Sequence, residues 1–283
     1  MLRSAEARSI NTNPSESGST LKPMNADTQS VKSAQRTLEI LETVARNHEG
    51  VGFVELSAQL PYPKSSLHGL LQTITAMGWL TFDPKQRVYT IGVKPWEVGQ
   101  SFLRSREIVV RTRQFLRAAN RELGETMQLG ILDDLDVVYI DKVEGTHPLR
   151  LVSNIGSRLP AYVTGIGKAL LASLDDDVLS TRFAGAQFEE YTSRTITSGN
   201  ELIRILHEVR RHGYAIDDGE YTPGLYCVAV PIKDLAGTVV AAMSCSVPKA
   251  RLDLDELQVG QIIEVLVRQA RSMSQALGAR AAG

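Results

Sequence analysis

Pro63-Lys64-Ser65-Ser66-Leu67-His68-Gly69-Leu70-Leu71-Gln72-Thr73-Ile74-Thr75-Ala76-Met77-Gly78 decides the fold of this 283-residue chain. Leu67, Leu70, Leu71, Ile74 and Met77 fall at i, i+3, i+4, i+7 and i+10, one apolar stripe of an α-helix. The opposite face is short and polar, with Lys64, Ser65, Ser66, His68 and Gln72 gathered near the helix start. Side chains of that size donate to phosphates and base edges without filling a groove, and free N–H groups at a helix N-terminus favour anions. The pattern predicts a helix that docks its polar side in the major groove of duplex DNA.

The flanks extend the pattern. Val31, Ala34, Leu38, Leu41 and Val44 sit at helical spacing upstream, and Phe53, Leu56 and Leu60 mark a shorter helix before the breaker Pro61-Tyr62-Pro63. Gly78 is predicted to stop the third helix. Trp79 to Phe82 and Arg87 to Ile91 then read as two strands joined across Asp83-Pro84-Lys85-Gln86. This is the order of a winged helix-turn-helix, although a three-helix unit with a hairpin and no nucleic-acid role would show the same periodicity.

Length points to two domains, and a content of 43% hydrophobic residues to a folded globule. Net charge is −1, and Val31 to Gln100 carries seven Lys or Arg against six Asp or Glu. Affinity for a polyanion must then come from local clustering and from two copies of the module, which implies a dimer. Arg104, Arg106, Arg111, Arg113, Arg117 and Arg121 follow the wing, interleaved with Phe102, Ile108, Val109, Phe115 and Leu116. They predict a linker helix whose apolar side is available for dimer packing and whose arginines form a solvated face or line DNA.

The expected organisation is a disordered tail over 1–30, the winged helix over 31–92, the linker over 93–121 and a second domain over 122–283. The tail is rich in Ser, Asn, Thr and Glu, and residues before Met24 are expected to be dispensable or an over-extended start. Neither a secretory core nor a run of transmembrane length is present, and Cys227 and Cys245 offer no disulfide framework, so a cytosolic protein without a membrane partner is expected.

The second domain mixes strands at Thr126 to Leu132, Asp136 to Val143, Leu149 to Asn154, Tyr214 to Asp217, Leu225 to Lys233 and Thr238 to Val247 with helices at Gly165 to Leu174, Asn200 to His212 and Asp253 to Leu277. Hairpins with segregated helices indicate an α+β domain on an antiparallel sheet.

Three constellations there could carry chemistry. Tyr162-Val163-Thr164-Gly165-Ile166-Gly167-Lys168-Ala169 superficially looks like a phosphate loop, but Tyr162 stands where the first glycine belongs and Ala169 where a hydroxyl belongs. It reads instead as a glycine-rich helix start whose N–H groups hold a carboxylate, or whose glycines permit tight helix-to-sheet packing. Leu225, Cys227 and Ala229 share one strand face, and Ser244 and Ser246 share another; hydroxyls in such apolar strands need a ligand, water or backbone partner. Asp217-Asp218-Gly219-Glu220, after His207 and His212, lacks tight metal spacing and reads as a turn with a charged rim. Cys227 lies in an apolar run, as a buried structural thiol does. No catalytic residue, metal or cofactor is expected.

The chain resembles the IclR (isocitrate lyase regulator) family of bacterial transcription factors from Val31 to Gly278. The matching blocks include Val31 to Arg36, Pro63 to His68, Tyr89 to Gly92, Gly156 to Pro160, Gly165 to Ala172, Arg194 to Thr197 and Gly224 to Pro231. The resemblance implies a winged helix, a linker helix and a GAF-like effector domain, assembled as a homodimer or homotetramer on an operator and controlled by a small carboxylate or aromatic acid. It implies DNA contacts from Arg36, Lys64, Ser65, Ser66, His68 and Gln72, and an effector pocket of Leu151, Leu159, Gly165, Ile166, Asp217, Leu225, Cys227, Ser244 and Ser246. Two departures stand out: Gly69 replaces an arginine usual in the family's third helix, and Pro61 replaces a turn glycine. Two rival readings are a GAF-like enzyme or binding module using Cys227 as nucleophile, and a nonspecific DNA-binding protein.

Overall fold

A computed structural model describes residues 31–47, 49–105, 108–146 and 153–279, with backbone alone over 100–105. These residues form two compact units, one within 23–111 and one within 112–283. The predicted tail, 1–30, lies outside the described residues.

The first unit runs α1 (Lys32–Arg46), β1 (Val51–Gly52), α2 (Phe53–Gln59), α3 (Lys64–Ala76), β2 (Leu80–Asp83), β3 (Val88–Ile91) and α4 (Lys94–Ser105). Its three strands form an antiparallel sheet in the order β1-β3-β2. Ile40, Val44, Leu56, Leu67, Leu71, Ile74 and Leu80 pack into one core. Glu55 closes the start of α2 by accepting the Gly52 N–H at 2.9 Å. Pro61 forces the residue before it out of the helical region, and Leu60 is extended (φ −110°, ψ 126°), so α2 stops there. Gly78, at φ +77°, takes the left-handed turn that ends α3.

Two details differ from the sequence expectation. Val31 and Leu38 are 68% and 60% exposed, while Ile40, Thr43 and Val44 face the core of the unit. The predicted stripe is therefore met only in part: Val44 lies in the core and Leu41 packs against it, while Val31 and Leu38 point away from it. Met77 is 63% exposed because it caps α3, where the chain already turns away.

The predicted single linker helix is described as α4 and α5 (Ile108–Leu123), and the division between units falls within α5. From Thr112 onward, Thr112, Leu116, Ala119 and Leu123 form a buried stripe. Arg113, its side chain still partly in solvent, pairs with the buried carboxylate of Asp141, which ties this arginine to the sheet of the second unit.

The second unit continues with β4 (Thr126–Asp133), β5 (Asp136–Val143), β6 (Arg158–Pro160), a 3-10 turn (Ala161–Val163), α6 (Gly165–Leu171), α7 (Asp176–Arg182), α8 (Gly199–His212), β7 (Ala215–Asp218), β8 (Leu225–Lys233), β9 (Val239–Pro248), α9 (Lys249–Asp253) and α10 (Val259–Ala276). All six strands are antiparallel, in the order β6-β5-β4-β9-β8-β7. On one face α6 packs against β4, β7, β8 and β9, with α8 behind it; α10 packs against β8 and β9. Glu122 of α5 pairs with Arg268 of α10.

The predicted strand over Leu149 to Asn154 lies mostly outside the described residues, and Ser153 and Asn154 are not in a strand. The predicted helix from Asp253 to Leu277 begins only at Val259, because Asp255 adopts a left-handed conformation (φ +63°) in the turn after α9.

Candidate functional site

The α3 surface comes first. Leu67, Leu71 and Ile74 hold the helix to its core, leaving Lys64, Ser65, His68 and Gln72 exposed and Ser66 half-buried. Arg36 of α1 reaches this face: its Nη1 donates to Ser66 Oγ at 3.3 Å, and its guanidinium lies 4.9 Å from the centre of the Tyr62 ring. The His68 ring meets Phe53 edge-on at 6.2 Å. All six residues predicted to touch DNA therefore lie on or against one polar surface. The sequence reading missed the wing tip, where Lys85 and Arg87 are exposed in the β2–β3 loop. There Asp83 accepts N–H bonds from Lys85 and Gln86. Two cations at a hairpin tip were the available signal.

A mid-helix glycine weakens α3 by about 1 kcal/mol relative to alanine. Gly69 stands at such a position, and a Cβ added there would meet no atom within 4 Å. A larger side chain fits without clash.

The second surface is a cavity in the unit within 112–283, between the start of α6 and the sheet. Its walls include Leu159, Gly165, Ile166, Asp217, Leu225, Cys227, Ser244 and Ser246. Leu151, the ninth predicted pocket residue, lies outside the described residues. Strand register explains the convergence: Asp217 pairs with Cys227, Cys227 with Ser246, and Ala229 with Ser244, so alternate residues of β7, β8 and β9 share the face beneath α6.

The glycines of α6 serve packing. A Cβ at Gly167 would lie 2.1 Å from the Ala161 carbonyl oxygen, and one at Gly165 3.3 Å from Ala229 Cβ. Thr164 caps the helix by accepting the Gly167 N–H at 3.0 Å.

Gln128, Tyr139, Ser153, Thr164, Tyr221 and Thr222 also line the cavity and were not foreseen. Gln128 pairs with Ser244 across β4 and β9. A glutamine inside an apolar strand was the same kind of signal as the two serines. These groups form a chain along the cavity floor. The Cys227 thiol donates to Ser246 Oγ at 3.4 Å, the Ser246 hydroxyl to Gln128 Oε1 at 3.3 Å, and Gln128 Nε2 to Ser153 Oγ at 2.7 Å.

Asp217 and Glu220 do not stand on a surface turn with a charged rim, as their local sequence suggested. Asp217 is 4% exposed, its Oδ1 accepts the Glu220 N–H at 2.8 Å, and the Glu220 carboxylate pairs with the buried ammonium of Lys168. Burial, partly opposed by Lys168 and reinforced by Glu220, pushes the Asp217 carboxyl up to about 7. Burial and the neighbouring Asp217 also hold the Cys227 thiol well above its ordinary value. A protonated thiol is a poor nucleophile, which argues against the reading of Cys227 as a catalyst. His207 instead lies 2.7 Å from Asp176, and His212 stacks on Tyr214.

The family model described as the IclR helix-turn-helix domain matches residues 33–84, and that described as the bacterial transcriptional regulator IclR C-terminal matches residues 100–275. The chain belongs to the IclR family. It is similar to the HTH-type transcriptional regulator KdgR of Escherichia coli strain K12, with 34% identity over 249 residues, covering 88% of this chain and 94% of that protein. The crystal structure of the Thermotoga maritima IclR shares 28% identity at a TM-score of 0.72, covering 88% of this chain and all of that one. An IclR homologue from Microbacterium hydrocarbonoxydans, crystallised with 4-hydroxybenzoate, shares the fold at a TM-score of 0.77 and 20% identity over 87% of this chain and 98% of that one.

This IclR-family chain is thus a transcriptional regulator rather than an enzyme, with an N-terminal helix-turn-helix domain that binds DNA and a C-terminal effector domain. Among the described residues no helix is long and apolar enough to cross a membrane.

Proposed function

We propose that this IclR-family regulator is a cytosolic homodimer that binds one operator through two copies of α3 and releases or tightens on it when a compact carboxylic acid enters the cavity of the effector domain. The observation that carries the effector reading is the cavity itself, where Asp217, Ser244 and Ser246 share an enclosure with the apolar Leu159, Ile166 and Leu225 and with polar groups such as Gln128 and Thr164. Its free volume, about 30 Å³ of room for the centre of a water-sized sphere, holds two waters on a scale of roughly 10–15 Å³ each. A space of that size must widen to admit any such acid, and short acids such as glyoxylate or pyruvate ask for the least widening. The 4-hydroxybenzoate of the Microbacterium protein nevertheless makes aromatic acids a necessary control.

For DNA, Lys64, Ser65, Ser66, His68 and Gln72 lie on the exposed or half-buried side of α3, with Arg36 beside them and Lys85 and Arg87 at the wing tip to meet phosphates. A module with so little net charge gains affinity by duplication. The exposed apolar residues Val31 and Leu38 of α1 and Trp96 of α4, the last 66% exposed, offer surface for a second copy. Control requires that the acid bind the two DNA-related states unequally; a coupling of about 1–3 kcal/mol shifts operator affinity roughly 5-fold to 150-fold.

A thermal-shift screen of short and aromatic carboxylic acids, followed by footprinting of promoter DNA with each hit, tests the proposal. The expected result is a protected palindromic site whose occupancy changes with an acid that raises Tm. Equal affinity for promoter and random DNA, or the absence of any acid that raises Tm, would remove it.

A further inference from the structure

The charge balance beside the cavity goes further than ligand class. Among the described residues no Lys, Arg or His lines the cavity. The cation that acts on Asp217, Lys168 on α6, is 1% exposed and committed to Glu220. Asp217 sits in the wall as a second buried carboxyl, so the network already holds two acids against one base. Among the described residues, its other neighbours in the wall supply no positive charge. On β8 the Cys227 thiol is held protonated, on β5 the Tyr139 phenol is pushed upward by burial, Cys227 and Asp217, and Asp218 is tied to Arg194 and Lys249 at its own end of β7. Tyr221, in the loop after β7, adds a phenol to the wall.

An effector carboxylate would place another negative charge against Asp217. Two carboxylates confined together in a low-dielectric site do not both stay ionised; one of them takes a proton, which the pair then shares. Resting on the reading of the cavity as an acid site, we propose that effector binding is coupled to proton uptake by Asp217, which donates its O–H to the bound carboxylate. The balance is simple: ionised acid plus ionised Asp217 plus one proton from solvent gives the hydrogen-bonded pair. Asp217 is poised for this, because its carboxyl titrates at about 7 before any ligand arrives, through burial and the Glu220 charge against the opposing pull of Lys168. Below that value the free protein already carries the proton; above it, each bound acid must bring one in.

The full-length protein is titrated calorimetrically with pyruvate and, separately, 4-hydroxybenzoate at pH 5.5 and 8.5, each in two buffers of different ionisation heat. The expected outcome is close to one proton taken up per acid at pH 8.5 and close to none at pH 5.5, with Kd rising about tenfold per pH unit above 7. Asp217→Asn, which keeps an acceptor for the Glu220 N–H, should bind with a pH-independent Kd and no uptake. Buffer-independent heats for the wild type at pH 8.5, or an unchanged pH slope in D217N, would overturn proton coupling while leaving the acid site intact. Failure of both acids to bind at either pH would instead remove the acid site, and this proposal with it.

Discussion

The α3 surface and the effector cavity are both polar surfaces built on apolar supports, but they keep their polar atoms in opposite conditions. On α3, Lys64, Ser65 and Gln72 stand in water, where an unpaired donor costs nothing until DNA replaces the solvent. In the cavity, Cys227, Ser246, Gln128 and Ser153 satisfy one another, because a buried unpaired polar group costs about 1–3 kcal/mol. Substitutions on the first surface should therefore change affinity and spare stability, whereas those on the second should change both together.

The sharpest break comes from Gly167→Ala. A methyl 2.1 Å from the Ala161 carbonyl cannot be accommodated without displacing backbone, and we expect a loss on the order of 4 kcal/mol, visible as a fall in Tm or as insoluble protein. A variant with unchanged Tm would mean that α6 is not seated as described.

Next is Asp217→Asn. The folded carboxyl lies at about 7, above the ordinary 3.8, so the folded state binds more protons than the unfolded one across that interval and stability falls as pH rises through it. At pH 8 the asparagine variant should be more stable than wild type by about 2–3 kcal/mol, allowing for relaxation of the network around a three-unit shift. At pH 4 the two should be nearly equal. Denaturant unfolding at both pH values measures this, and a variant equally destabilised at each would show that Asp217 is held as an ion.

On the exposed surface, Ser65→Ala or Gln72→Ala should reduce discrimination between operator and random DNA by about 1–2 kcal/mol, while Lys64→Ala should weaken all sequences and lower the salt slope by about one. Tm should not move in any of them. A fall in Tm with unchanged DNA binding would reverse the comparison. The smallest effect is expected from Gly69→Ala, which should raise the stability of the winged helix by about 1 kcal/mol without loss of DNA affinity. Thermal melting together with a gel-shift titration checks both parts.

Legibility in the sequence followed the same contrast. The third helix could be read because one side is apolar and the other polar within a single segment, and Leu67, Leu71 and Ile74 are buried as that pattern requires. The first helix was legible only in part: Leu41 and Val44 of its apolar set meet the core, but Val31 and Leu38 are apolar without facing it, and a single chain does not reveal which apolar residues are internal. In the second unit, alternation alone placed Ser244 with Ser246 and Leu225 with Cys227. Gln128 joins them only through pairing of β4 with β9, more than a hundred residues apart, a register that no local pattern specifies. The burial of Lys168 and Glu220 was equally hidden, since Asp217-Asp218-Gly219-Glu220 has the composition of a surface turn and becomes interior only when α6 closes over β7.

The two thiols carry a final consequence. Peroxide and disulfide reagents attack thiolates, and burial keeps both Cys227 and Cys245 in the protonated form, Cys245 with no surface exposure at all. With the only sulfhydryls in the sequence chemically quiet, an oxidative burst in the cell should leave this regulator's state unaltered, so that metabolic and redox signals reach its genes by separate routes.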